Sequence, residues 1–246
     1  MTVARVGTRV RPGALAAVLG ALLGPAAGVP AAHAAAGPFQ LSEPGKLSRW
    51  AFVERTTVAR AEPRRSARAV ARLATLTPER TQNLVVPLER VERRGRLWLR
   101  VRLPVLPNGT TGWVPREHVG TYHEVRTHLI VDTSKRTARL VRAGRTVFRA
   151  RVGVGRRRWP TPHGEFFIRN RLRGFQDATY GPLAFGTNAR SAVLTDWPGG
   201  GVIGIHGTNQ PRLIPGRVSH GCIRMRNTAI LRLDRKMPIG TPLTVR

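Results

Sequence analysis

The stretch Ser219-His220-Gly221-Cys222-Ile223-Arg224 holds the only cysteine among 246 residues. One cysteine forms no intrachain disulfide, so a thiol set between histidine and glycine is a candidate nucleophile. A nucleophilic thiol needs a base, because free cysteine, with a pKa near 8.5, is only partly ionised at neutral pH. Two histidines qualify. His220 lies two residues before Cys222 and points the same way in extended chain, but its short tether restricts which ring nitrogen reaches sulfur. His206, in Ile205-His206-Gly207-Thr208-Asn209, arrives from a separate element and is geometrically freer. Gly207 offers no side chain to orient that imidazole, so a backbone carbonyl is expected to hold its second nitrogen. Gly221 lets backbone N–H groups approach a reacting carbonyl, as an oxyanion hole requires.

The pairing of I-H-G-T-N at 205–209 with S-H-G-C-I-R-M at 219–225 resembles the signature of the L,D-transpeptidases, the YkuD-type catalytic domain of bacterial cell-wall enzymes. The resemblance extends over most of 128–246. It takes in Thr161-Pro162-His163-Gly164-Glu165-Phe166, similar to the family's T-P-x-G-x-F, and Pro238-Ile239-Gly240-Thr241-Pro242, similar to its closing strand. His163 departs from the small or polar residue expected there and is read as exposed and non-catalytic.

Residues 1–34 carry Arg5, Arg9 and Arg11, then an apolar run over about 14–23, then Ala32-His33-Ala34. This is the pattern of a secretory signal peptide with an A-x-A cleavage site. No segment reaches the ~20 apolar residues of a membrane-spanning helix, so no stable membrane span is expected and the protein is expected outside the cytoplasm. The formal charge of +29 is nearly all arginine, lysine occurring only at 46, 135 and 236. Such a field favours polyanions, and for an exported chain acidic wall polymers rank above nucleic acid, for which no binding motif is present. The alternative, that the arginines merely solvate the surface, stands beside it.

After a lead-in at 35–46, residues 47–122 read as a small β domain. Short apolar runs at 69–76, 84–88, 97–103 and 112–114 alternate with charged or Pro/Gly turns. Leu97, Leu99, Val101 and Leu103 form one apolar face, and Asn108-Gly109 marks a hairpin turn. W-L-R-V-R-L-P followed by G-W-V-P resembles a bacterial SH3-like domain, in which Trp98 and Trp113 serve either a ligand or the core, with the core favoured for Trp98.

Residues 123–127 join this domain, without a long linker, to the catalytic region at 126–246. Strands are expected at 128–132, 138–142 and 146–152, the last with Phe148, Ala150 and Val152 alternating with arginines. Gly153-Val154-Gly155 lacks the third glycine and the helix of a nucleotide-binding turn and is read as a loop. Residues 170–201, with Phe175, Tyr180, Phe185 and Trp197, show little periodicity and read either as a binding loop or as a stretch whose aromatics close a small core. Strand 202–205 delivers His206, 210–218 is a connecting loop, and Asn227 is the expected N-cap of a helix over 228–237. The expected fold is mainly β: a small SH3-like barrel, then an antiparallel sandwich or barrel-like catalytic domain with a short C-terminal helix.

The resemblance implies acyl transfer between peptidoglycan stem peptides, with Cys222 as nucleophile and His206 as base. His220, Gly221 and Gly207 would shape the oxyanion loop, and Ser219, Arg224, Tyr180 and Gly181 would contact substrate. Arg224 either pairs a substrate carboxylate or braces the loop. No cofactor or metal is expected. A zinc site from His206, His220 and Cys222 is the weaker rival, as are hydrolysis to water and a wall-binding protein without activity.

Overall fold

The computed structural model describes residues 37–43, 45–174, 176–194 and 201–246. The expected leader, Phe175 and Trp197 lie outside these residues. No helix among the described residues is long and apolar enough to cross a membrane.

The first half is built from β1 (Phe39–Gln40), β2 (Ser48–Phe52), β3 (Thr57–Arg60), β4 (Ala69–Leu73), β5 (Leu84–Val85), β6 (Pro87–Arg93), β7 (Arg96–Arg102), β8 (Thr111–Pro115) and β9 (His123–Val125). Six of these form an antiparallel sheet in the order β1-β6-β7-β8-β3-β4. Alternation along β7 puts Leu99 and Val101 in its core, with Leu103 just beyond the strand. Trp98 is 2% exposed and is a buried residue rather than a displayed one, while Trp113 is half-buried. Gly109, at φ 90°, occupies the β7–β8 turn, where a side chain would be strained.

The apolar run at 84–88 is two strands rather than one. Pro87 has no N–H to continue a ladder, and the chain passes there from β5, paired with β2, to β6, paired with β7. The connector at 123–127 is likewise structured, since β9 pairs with β2 in a small sheet, β5-β2-β9.

The second half contains β10 (Thr127–Asp132), β11 (Thr137–Arg142), β12 (Arg145–Arg151), β13 (Gly153–Gly155), β14 (Gly164–Leu172), β15 (Ala184–Arg190), β16 (Val202–His206), β17 (Gly216–Ser219), β18 (Ile223–Arg224), helix α1 (Asn227–Asp234) and β19 (Pro242–Val245). The ten strands form one sheet, β12-β11-β10-β19-β14-β15-β16-β18-β13-β17. It is mostly antiparallel, with parallel pairs β10–β19, β16–β18 and β13–β17. Leu129, Val131, Ala138, Leu140 and Phe148 turn inward beneath the arginine-bearing outer face.

Four expectations are corrected here. Gly153–Gly155 is a buried strand, not a loop; a Cβ at Gly155 would fall 2.2 Å from the Trp159 carbonyl oxygen. Residues 184–190 form a central strand whose polar Thr187 and Asn188 hid it from a periodicity test. Both are buried with partners, Thr187 donating to the Ile203 carbonyl and Asn188 accepting from the Phe167 N–H. Residues 210–218 contain a 3-10 turn at Pro211–Leu213 and then β17. Asn227 is not the N-cap: Arg226 holds that position, Asn227 Oδ1 accepts from the Thr208 N–H at 2.8 Å, and α1 ends at Asp234.

The two halves share a core in which Trp50, Leu84, Val86 and Val125 meet Phe167 of β14. Polar contacts reinforce it. Asn108 donates to the Arg190 carbonyl and accepts from its N–H, at 2.7 and 2.9 Å. Both Glu79 carboxylate oxygens accept from Arg169, at 2.7 and 2.8 Å, and Arg169 is 3% exposed. Removing one partner of such a pair strands a buried charge, whereas replacing both with apolar groups does not. Glu79→Met is therefore expected to lower urea-unfolding stability by about 3 kcal/mol, and Glu79→Met with Arg169→Met to recover most of it. Equal losses in the single and double variants would show that the ion pair is not what that junction depends on.

Candidate active site

Strand β16 carries Ile205 inward, fully buried, and so turns Gly204 and His206 to the opposite face. Strand β18 lies parallel beside it, with Ile205 opposite Ile223 and His206 opposite Arg224. This register leaves Cys222, one residue before β18, beside Gly204, whose N–H donates to Cys222 Sγ at 3.4 Å. Cys222 and His206 thereby open onto the same cavity of about 420 Å³, which Tyr180, Ser219, His220 and Arg224 also border.

The imidazole is held from behind. His206 is 2% exposed and its Nδ1 lies 2.7 Å from the Gly207 carbonyl oxygen, so Nδ1–H donates there, and the Thr179 backbone also favours the protonated ring. Tyr180 packs on the ring with centroids 5.0 Å apart. Burial is the main reason the His206 pKa falls to about 4, with the Gly207 carbonyl opposing it and the Arg224 guanidinium reinforcing it. The Cys222 thiol moves the other way. Burial raises its pKa, against the Gly204 N–H and the charge of Arg224, which favour thiolate. Both shifts favour the neutral forms, a thiol and a neutral imidazole, and His206 is not among the groups that act on the Cys222 pKa.

The loop carrying the thiol is braced by its own chain. Ser219 Oγ donates to the Cys222 carbonyl at 2.5 Å and accepts the Gly221 N–H at 3.2 Å. Gly221, at φ 114°, has its carbonyl fixed by the buried hydroxyl of Thr161 at 2.8 Å. Ser219 therefore works as a brace, and the Gly221 N–H is already engaged. His220 stands half-buried against Trp159, ring centroids 4.3 Å apart, its pKa lowered by burial and then by Arg156 and Arg224. Arg224 borders the cavity with a buried, unpartnered Nε, and no carboxylate forms an ion pair with it among the described residues.

The glycines expected at the site lie behind it. Gly207 supplies the carbonyl under His206, and a side chain there would reach within 2.5 Å of Asn227 Oδ1. Gly181, at φ 64°, packs against Gly207 and Thr208 rather than facing the cavity. Phe185 is fully buried in the core, and His163 is exposed, its Nε2 2.9 Å from the Thr133 hydroxyl. Among the described residues no group of three His, Cys, Asp or Glu side chains is placed to hold a metal ion.

Sequence reasoning missed Glu79, which comes from the first half of the chain yet borders the cavity. It also missed Gly204 and Thr161 as supports of the thiol loop. Thr161 lay within a quoted motif, but nothing in the order of residues says that Glu79 crosses to β14.

Residues 126–245 match the family model YkuD, described as the L,D-transpeptidase catalytic domain. The curated protein named "Putative L,D-transpeptidase YkuD" of Bacillus licheniformis is 38% identical over 117 residues, covering 48% of this chain and 64% of that protein. Its namesake in Bacillus subtilis is 36% identical over 118 residues, covering 48% and 65%. The chain thus spans slightly less than two thirds of either relative. The Enterococcus faecium L,D-transpeptidase C442S mutant structure aligns over 49% of both chains at 22% identity and a TM-score of 0.39. The matched residues 126–245 include the strands that carry Cys222 and His206, and this region is similar to the L,D-transpeptidase catalytic domain.

Proposed function

We propose that the protein is a peptidoglycan L,D-transpeptidase acting outside the cytoplasm, exported by residues 1–34 and carrying an SH3-like module at 47–122. The observation that carries the reading is the shared cavity of Cys222 and His206, with His206 Nδ1 tied to a carbonyl.

The chemistry begins from neutral partners. As Cys222 Sγ attacks the carbonyl that joins a donor stem peptide to its terminal D-Ala, His206 Nε2 takes the thiol proton. The C–N bond then breaks, the proton passes to the departing D-Ala amine, and a thioester remains on Cys222. An acceptor amine attacks the thioester, the sulfur leaves, and the thiol is regenerated with a new amide formed. The Gly221 N–H is held by Ser219, so the oxyanion role falls to the N–H of Cys222 and its neighbours, a contribution of about 3 kcal/mol per donor in other hydrolases. Arg224, which borders the cavity, suits a substrate carboxylate.

Intact-mass analysis with a carbapenem tests the nucleophile. The native chain is expected to gain one covalent adduct, Cys222→Ala none, and His206→Gln to acylate about 100-fold more slowly. An unmodified native chain, or an adduct retained by Cys222→Ala, contradicts the reading. Supplying a stem tetrapeptide then separates transfer from hydrolysis, since a cross-linked dimer appears in the first case and a tripeptide in the second.

The base also leaves a mark on stability. The folded His206 pKa, about 4, lies below its ordinary 6.5, so its contribution is fully present above pH 6.5 and is lost as pH falls toward 4. The loss amounts to roughly 3 kcal/mol. Unfolding free energies of the native chain and His206→Gln should diverge in slope across that window, and parallel curves would contradict a buried neutral imidazole.

A further inference from the structure

We propose that the outer face of β10–β12 is a binding site for a phosphodiester polymer, separate from the thiol cavity. A concavity of about 440 Å³ opens on that face, bordered by Lys135, Arg136, Arg139, Arg149, Arg151 and Arg246, with Asp132 as its one acidic side chain. Arg139 stands directly opposite Arg149 across the antiparallel pair, and Arg151 opposite Thr137. Like charges facing one another across strands destabilise a sheet. At comparable cross-strand positions a carboxylate faces the guanidinium, as Glu89 faces Arg100 and Glu124 faces Arg49. Here Arg246 approaches Asp132 at 3.7 Å, and among the described residues Arg136, Arg139, Arg149 and Arg151 have no ion-pair partner. The Arg136 Nε is buried there without an acceptor.

This arrangement is charge held ready for a ligand. Neighbouring strands lie about 4.8 Å apart and alternate residues about 7 Å apart along a strand, so the guanidiniums span more than a single phosphate reaches. A polymer presenting successive phosphates satisfies several at once, and planar guanidinium donors match phosphate oxygens in pairs. No aromatic ring borders the concavity, which removes the stacking platform on which single-stranded nucleic acid is held. The geometry therefore favours a polyol-phosphate chain over single-stranded RNA or DNA. The inner residues of the same strands, Ala138, Leu140 and Phe148, belong to the core, so the outer arginines can be replaced without disturbing it.

The test uses the full chain and a labelled synthetic poly(glycerol phosphate), with affinity measured from about 50 to 200 mM salt. Arg139→Gln/Arg149→Gln/Arg151→Gln is compared with Arg55→Gln/Arg68→Gln/Arg72→Gln, an equal charge change at exposed positions of the other half. The face variant is expected to lose at least about tenfold in affinity and about two units of the log–log salt slope, at ~0.7 per contact. The control should change little, and carbapenem acylation should be unchanged in both. Equal losses in the two variants, or no binding by the native chain, overturn the proposal. So does oligothymidylate, or vesicles of phosphatidylglycerol, binding as tightly as the polymer through the same arginines. If the triple variant fails to fold, Arg149→Gln/Arg151→Gln, both exposed, is compared with Arg68→Gln/Arg72→Gln, with an expected slope change of about 1.4.

Discussion

The parallel pairing of β16 with β18 is the constraint on which the site depends. Ile205 and Ile223 are both fully buried and sit opposite one another, and their burial fixes the register of two strands that offer few paired residues. With that register set, Gly204, His206, Cys222 and Arg224 all project to the other face. A slip of one residue would turn the thiol into the core and an isoleucine into the cavity. Two apolar side chains therefore position the chemistry without touching it.

Support for this pairing reaches across the chain. Glu79 and Thr81 hold Asn170, whose Oδ1 accepts from the Gly186 N–H. Gly186 pairs with Gly204 in the β15–β16 ladder, and Gly204 donates to the thiol. Beyond the Asn170 side chain the path runs through the backbone of Gly186 and Gly204, which have no rotamers to absorb a displacement. A side chain at Gly186 would collide with Asn170 Oδ1 at 2.2 Å, which explains why glycine is needed at that crossing. The first half of the chain thus meets the catalytic sheet as a structural partner, through a common core around Trp50 and Phe167.

Much of this was legible in the residues. A lone cysteine beside glycine, a second histidine in I-H-G-T-N, and apolar alternation at 128–132 or 97–103 each carry a local physical meaning, and the strands follow. What stayed hidden has a common cause. Strand β15 is buried on both faces and polar in sequence, because Thr187 and Asn188 satisfy neighbouring backbone groups, so no periodicity marks it. Asn227 carries the preferred chemistry of a helix cap, but tertiary structure uses its oxygen for Thr208. Strand β13, a Gly-Val-Gly triplet, is defined by partners that lie more than sixty residues later. Ionisation state was also out of reach, since neither the desolvation of Cys222 nor that of His206 can be read from neighbours in sequence.

The proposed mechanism turns on that ionisation state: burial favours the neutral forms of both Cys222 and His206, and in the proposed reaction the proton moves when a carbonyl arrives. The most direct measurement is the rate of Cys222 alkylation by iodoacetamide as a function of pH in the folded chain. A thiol whose pKa burial has raised gives a rate that is low at neutrality and still rising at pH 9. A plateau reached below pH 7 would mean a resting thiolate–imidazolium pair and would contradict it.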